Sequence, residues 1–181
     1  MRVLRAGEHK RMPWKNGGGV TTEIAVSPSG AGIDDFDWRI SMASVPASGP
    51  FSTFAGIDRV LAVLDGAMIL TIGAKEPIFI DVASPPIAFA GDAETVAEVK
   101  LPVTDLNIMV RRGRFAARVT RLDRSSLVAD SAVTFLLICS TAEIADGEPL
   151  SLDDVIHMER GDALTFRRRP ENAWLIELDA V

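Results

Sequence analysis

Apolar residues along this chain recur in short runs, some alternating with polar residues and some continuous, broken roughly every eight to twelve positions by Gly, Pro, Asp or Ser. That rhythm predicts strands over 21–27, 37–45, 59–65, 67–72, 77–82, 86–90, 94–100, 104–111, 115–121, 132–139, 150–156, 162–167 and 173–178. Between 37 and 45, Trp38, Ile40 and Met42 fall on one face while Arg39, Ser41 and Ala43 fall on the other. The segment 104–111 repeats this grammar, with Leu106, Ile108 and Val110 opposed by Asp105, Asn107, Met109 and Arg111. Trp38, Ile40, Val63, Leu70, Leu106, Ile108, Leu136 and Ile138 are expected in the core. No long window carries a capped helical stripe, and only Ser140 to Ala145 fits a turn of helix.

Many short strands at this spacing imply a sandwich or a barrel, the two ways such a sheet covers its edges. A faint internal echo favours repeated barrel halves. Asp65-Gly66-Ala67-Met68-Ile69-Leu70-Thr71 and Arg160-Gly161-Asp162-Ala163-Leu164-Thr165 each set a Gly turn before an apolar strand ending in Leu and Thr.

Composition narrows the function classes. The 181 residues suit one folding unit, and the longest apolar runs, Val60 to Leu64 and Phe135 to Cys139, are far too short to cross a bilayer as a helix. A net charge of −6 argues against nucleic acid, whose phosphates demand cations. The clusters Arg111-Arg112-Gly113-Arg114 and Arg167-Arg168-Arg169 lack interleaved aromatics and read as charges beside turns. A lone cysteine, Cys139, excludes an intrachain disulfide and reads as a core residue. Together with an N-terminus lacking a secretory pattern, it leads to the expectation of a cytoplasmic protein.

Three stretches carry candidate chemistry. Pro13-Trp14-Lys15-Asn16-Gly17-Gly18-Gly19 precedes a strand rather than a helix, so it is not a phosphate-binding P-loop. It reads either as a tight entry turn or as an anion-binding nest helped by Lys15. The polar face of Arg39, Ser41, Asp105 and Asn107 holds short hydrogen-bonding groups and arginine, the set a ligand-holding barrel places inside, although an ordinary wet face fits equally. The loop from Gly49 to Arg59 bears Phe51 and Phe54, either covering a pocket or plugging the core, with Asp58 and Arg59 read as a turn and ion pair.

These segments, in this order over the first 112 residues or so, resemble the HutD/Ves family. The resemblance implies an all-β, cupin-type double β-barrel (bicupin) in one chain, with very little helix. It places an N-terminal barrel at approximately 1–112 and a C-terminal barrel at approximately 113–181, interleaved. It also implies a bacterial protein associated with histidine utilisation that binds a small carboxylate, with formate, urocanate or a formylated amino acid as candidates, and so restrains the pathway. The polar members of the matching motifs are Lys15, Asn16, Glu23, Arg39, Ser41, Asp105, Asn107 and Arg111, with Arg39 as the expected anion anchor and Asp105 supporting it.

Metal-binding cupins carry a His-x-His pair, a following Glu and a later His. Here there are only His9 and His157, in separate segments, so no metal or other cofactor is expected. No Gly-x-Ser-x-Gly, Cys-x-x-Cys or His-Glu-x-x-His motif occurs. The expected function is therefore small-carboxylate binding of a regulatory kind, without nucleic acid or membrane and with a homodimer left open. The competing readings are a metal-independent isomerase or hydrolase, in which Glu23 or Asp105 works beside Lys15 or Arg39, and a structural module without a ligand.

Overall fold

The structure, a computed structural model, describes residues 1–14 and 18–181. Its strands in chain order are β1 (Arg2–Leu4), β2 (Lys10–Pro13), β3 (Val20–Ser27), β4 (Trp38–Val45), β5 (Gly49–Pro50), β6 (Ile57–Ile72), β7 (Ile78–Asp81), β8 (Ile87–Ala90) and β9 (Thr95–Arg111). Then come β10 (Phe115–Arg121), β11 (Ser126–Val128), β12 (Val133–Ile138), β13 (Ala142–Ile144), β14 (Pro149–Leu150), β15 (Val155–Glu159), β16 (Ala163–Arg168) and β17 (Ala173–Ala180). The helical content among the described residues is one 3-10 turn, Ala6–Glu8, and no helix is long and apolar enough to cross a membrane.

The chain divides into two compact units, Lys10–Phe115 and Met1–His9 with Ala116–Val181. In the first, an eight-stranded antiparallel sheet runs β2-β3-β4-β9-β6-β7, with β5 joined to β9 and β8 to β6. In the second, a five-stranded sheet β1-β15-β12-β17-β10 faces a four-stranded one, β11-β16-β13-β14, across a core that includes Leu136, Ile138, Ile156, Met158, Leu164 and Phe166. Each ladder of hydrogen bonds ends in edge strands and does not run round into a closed ring.

All eight expected core residues are buried. Elsewhere the local pattern misled in instructive ways. Asp65-Gly66 and Pro102 read as breaks, yet β6 and β9 run through them as single long strands with register shifts between Val63 and Met68. Gly66, at φ +82°, makes this possible. A Cβ there would lie 2.0 Å from the carbonyl oxygen of Pro102, so only glycine lets the bulged strand lie against its partner.

Ser140 to Ala145 holds a strand, not a helical turn. Ala142 and Ile144 point inward, and Glu143 between them pairs with Arg167 at 3.0 Å. The segment 150–156 is interrupted at Asp153, which sits at φ 66°, and at Asp154, whose carboxylate accepts the backbone N–H groups of Ala6 and Ser151.

Candidate functional site

The antiparallel register of β3, β4, β9, β6 and β8 stacks cross-strand partners into rows on one face of the sheet. One row is Val26, Arg39, Met109, Arg59 and Phe89. The next is Glu23, Ser41, Asn107, Leu61 and Ile87, and the third is Thr21, Ala43, Asp105 and Val63. Leu61, Val63 and Phe89 belong to the apolar core of this unit, so the polar side chains form an island within it. The opposite faces of β4 and β9 are buried too, through Ile40, Met42, Leu106 and Ile108.

Arg59 sits at the centre of the island. Its Nε donates to Asn107 Oδ1 at 3.3 Å and its Nη1 to the carbonyl of Ser52 at 3.4 Å, both long contacts. A guanidinium carries five N–H donors, so three are left without a protein acceptor among the described residues. Rings of Phe51, Phe54 and Phe89 surround it at 5.0, 5.8 and 5.2 Å from Cζ to the ring centroids, within cation–π range. The 51–56 loop is held in place by Phe51 N–H on the carbonyl of Thr95 and Phe54 N–H on that of Gly91. Only 6% of Arg59 is accessible, and burial lowers its pKa to about 10 despite the opposing charge of Asp105.

Asp105 is the counterpart. It is 2% exposed, and no described residue donates a hydrogen bond to its carboxylate or makes an ion-pair contact with it. Burial raises its pKa to about 7, the charge of Arg59 across the gap holding it back in part.

Arg39 was expected to lean on Asp105. It pairs instead with Glu23, Nε to Oε2 at 2.7 Å with both side chains largely buried, because β3 and β4 set Glu23 beside Ser41 in the adjoining row. Ser41 is buried and Asn107 half-buried in the same row. Arg111 shares the face but lies at the end of β9, where it donates to the carbonyls of Phe36 at 2.7 and 3.1 Å and of Asp34 at 3.2 Å. Its fork is spent on fixing the 34–36 loop. Lys15 and Asn16 lie outside the described residues. Gly17 also lies outside them, and Gly19 stands at the end of the β2–β3 hairpin, where Trp14 N–H meets its carbonyl at 2.9 Å and a Cβ on it would lie 2.5 Å from the carbonyl oxygen of Ser44.

Arg59, Phe51, Phe54 and Phe89 were missed as a group. Asp58 and Arg59 do not pair with each other: Asp58 takes the Nε of Arg112 at 2.7 Å on the other side of the strand, freeing Arg59 to point inward. The usable signal was the alternation Arg59, Leu61, Val63, which puts a guanidinium in line with core residues.

Other features are accounted for locally. Arg112 bridges Asp58 and Asp92, and Arg114 pairs with Asp37, so these cations are engaged in surface ion pairs. Cys139 is half-buried rather than fully enclosed, with its thiol pushed up to about 12 by burial and by the nearby Asp153 charge, against Arg121. Among the described residues no three His, Cys, Asp or Glu side chains gather as metal ligands would. Two open depressions, of about 350 Å³ around Arg2 and His157 and about 630 Å³ around Asp65, Phe79 and Leu101, include none of the island residues and enclose no buried charge.

Comparison with known proteins adds an independent line. A family model described as HutD matches residues 6–176. An uncharacterized 21.2 kDa protein in the hutC 3′ region of Pseudomonas putida is 36% identical over 190 residues, 98% of this chain and 97% of that protein. Protein Ves of Citrobacter koseri is 38% identical over 122 residues, 64% of this chain and 62% of Ves. The solved structure of HutD from Pseudomonas fluorescens SBW25, in a formate condition, superposes with a TM-score of 0.83 at 31% identity, covering 99% of this chain and 98% of that one. A cupin 2 conserved barrel domain protein from Leptotrichia buccalis reaches a TM-score of 0.58 at 10% identity, over 98% of this chain and 100% of its own, a likeness of fold alone.

Proposed function

The chain belongs to the HutD/Ves family, an all-β fold with cupin-like neighbours, and from that premise we propose that it binds a small carboxylate on Arg59 in a role tied to histidine utilisation. The observation that carries this reading is a buried guanidinium caged by three phenylalanines, with unspent donors and no contact counter-ion among the described residues. Leaving such a group in an apolar interior is costly, and a planar carboxylate meets its fork with two parallel hydrogen bonds. Arg59 thereby takes the anchoring role expected of Arg39, whose charge Glu23 already balances at 2.7 Å. Arg39, Ser41 and Asn107 supply the further polar contacts. Formate, urocanate and formylated amino acids remain the candidate ligands, and formate is also the condition named for the Pseudomonas fluorescens structure. In this reading the two units are the two cupin halves of a bicupin, and ligand occupancy restrains histidine breakdown.

Calorimetric titration of wild type, Arg59→Ala and Arg39→Ala with these ligands tests the assignment. Arg59→Ala should abolish measurable binding, whereas Arg39→Ala should weaken it less. Binding unchanged in folded Arg59→Ala overturns the anchor.

A second reading draws on Asp105. A carboxyl that titrates near neutrality beside an arginine suits general acid–base work, which favours a metal-independent isomerase or hydrolase. Loss of a formylated amino acid on incubation with the protein, with a bell-shaped pH profile, would establish it.

A further inference from the structure

The pocket's charge balance leads one step beyond carboxylate binding. Among the described residues the charged groups on the same face as Asp105 are Arg59 from β6, Arg39 from β4 and Glu23 from β3, with Arg111 further along β9 itself. Ser41 and Asn107 are uncharged, while β8 and the 51–56 loop contribute Phe89, Phe51, Phe54 and the Ser52 carbonyl. Glu23 and Arg39 neutralise each other in contact. Arg111 is turned onto the Phe36 and Asp34 carbonyls. What remains among the described residues is one guanidinium and one carboxyl that do not touch.

If both are ionised they cancel, and an incoming carboxylate meets a second anion in a buried site. If Asp105 is neutral, the pocket holds one net positive charge to match one carboxylate. The acid then also becomes a hydrogen-bond donor, where an ionised carboxylate can only accept. We propose that Asp105 is a specificity-determining residue of this pocket, taking up one proton from solvent when a carboxylate docks on Arg59 and donating a hydrogen bond from its neutral acid to the ligand. This inference rests on the carboxylate reading above. No covalent bond forms or breaks; the proton moves from water or buffer to an Asp105 oxygen.

Several features of the geometry support it. Among the described residues none donates a hydrogen bond that would hold the ionised form of Asp105, and it lies on the same strand face as Asn107, which already touches Arg59. Arg59 and Asp105 share this face and act on each other electrostatically without an ion-pair contact between them. Burial has brought the acid close to its protonation point at neutral pH, so uptake there is nearly free.

The test uses formate, which does not titrate near neutrality. Wild-type protein is titrated calorimetrically with formate from about pH 6 to about pH 9, in pairs of buffers of different ionisation enthalpy, and Asp105→Asn is titrated alongside. Above about pH 7 the wild type should take up close to one proton per formate, its affinity falling by about tenfold per pH unit. Asp105→Asn should bind with no uptake and a flat profile, because the amide still donates. The buffer-pair measurement on wild type stands even if the variant does not fold. Binding by wild type without proton uptake, or the same uptake in folded Asp105→Asn, overturns the proposal while leaving the carboxylate reading intact. No binding by wild type at any pH overturns the carboxylate reading itself.

Discussion

Two buried aspartates, one in each unit, are treated in opposite ways. Asp154 is 3% exposed in the unit made of Met1–His9 and Ala116–Val181. Its Oδ1 accepts the Ala6 N–H at 2.9 Å, and its Oδ2 accepts the Ser151 N–H at 3.0 Å and the Arg5 guanidinium at 2.8 Å. Burial pushes its pKa up, but these donors outweigh burial and leave it below the usual carboxylate range. Asp105, as little exposed but set deeper within the Lys10–Phe115 unit, receives no such donors from the described residues and is raised to about 7 by its burial. The first carboxylate ties an N-terminal segment to a turn and is finished. Among the described residues the second keeps hydrogen-bonding capacity unused beside an arginine that does the same, which is what the proposed ligand site calls for. The surrounding cores agree: β12 is apolar apart from Thr134 and sends Leu136 and Ile138 into an apolar cluster, while β9 alternates core residues with Asp105 and Asn107.

The contrast can be broken most severely at Asp154. Asp154→Ala strands two backbone N–H groups and removes one partner of Arg5, and should cost roughly 2–4 kcal/mol in denaturant unfolding while leaving formate affinity in the folded fraction unchanged. Arg59→Ala should do the reverse, losing roughly 2–5 kcal/mol of ligand affinity by calorimetry with little loss of stability, since a buried charge goes with it.

Asp105→Asn sharpens the comparison through pH. Between about 4 and about 7 the folded state holds a proton on Asp105 that the unfolded chain has released, so wild-type stability falls as pH rises through that window. The variant lacks this decline, and should be more stable than wild type by roughly 1–4 kcal/mol above pH 7, and no more stable below pH 4. Asp154 works in the other direction, its contribution present above its unfolded value and lost as pH falls toward its depressed folded one. Melts across pH 3 to 8, as an approximate range, should separate the two slopes. The smallest effect is expected at Arg112, where truncation to Ala removes exposed pairs with Asp58 and Asp92 and should leave the melting temperature unchanged within scatter.

Period-two alternation exposed the inner and outer faces of β4 and β9, and with them Arg39, Ser41, Asp105 and Asn107 as neighbours on one face. It also identified the buried positions, because a strand flanked on both faces by apolar side chains has few other ways to exclude water. The partners of those polar groups were less visible. Glu23 reaches Arg39 through the β3–β4 pairing, and Arg59 reaches Asn107 through β6–β9. Nothing in a single strand's pattern records which other strand lies beside it or in which register.

Composition and patterning alone therefore determined that this chain is a sheet protein with almost no helix, and which of its residues form the core. They also put Arg39, Ser41, Asp105 and Asn107 on polar faces of two strands, without deciding whether those faces meet solvent or the interior. Only the tertiary structure decided that Arg59 rather than Arg39 is the unbalanced charge. That decision belongs to pairing register and loop placement: Glu23 lands within hydrogen-bond reach of Arg39, Asp58 is drawn outward to Arg112, and Phe51, Phe54 and Phe89 close around the guanidinium from three separate segments. Charge neutralisation is a matter of distances of a few ångströms between residues far apart in the chain, and such distances exist only once the sheet has formed.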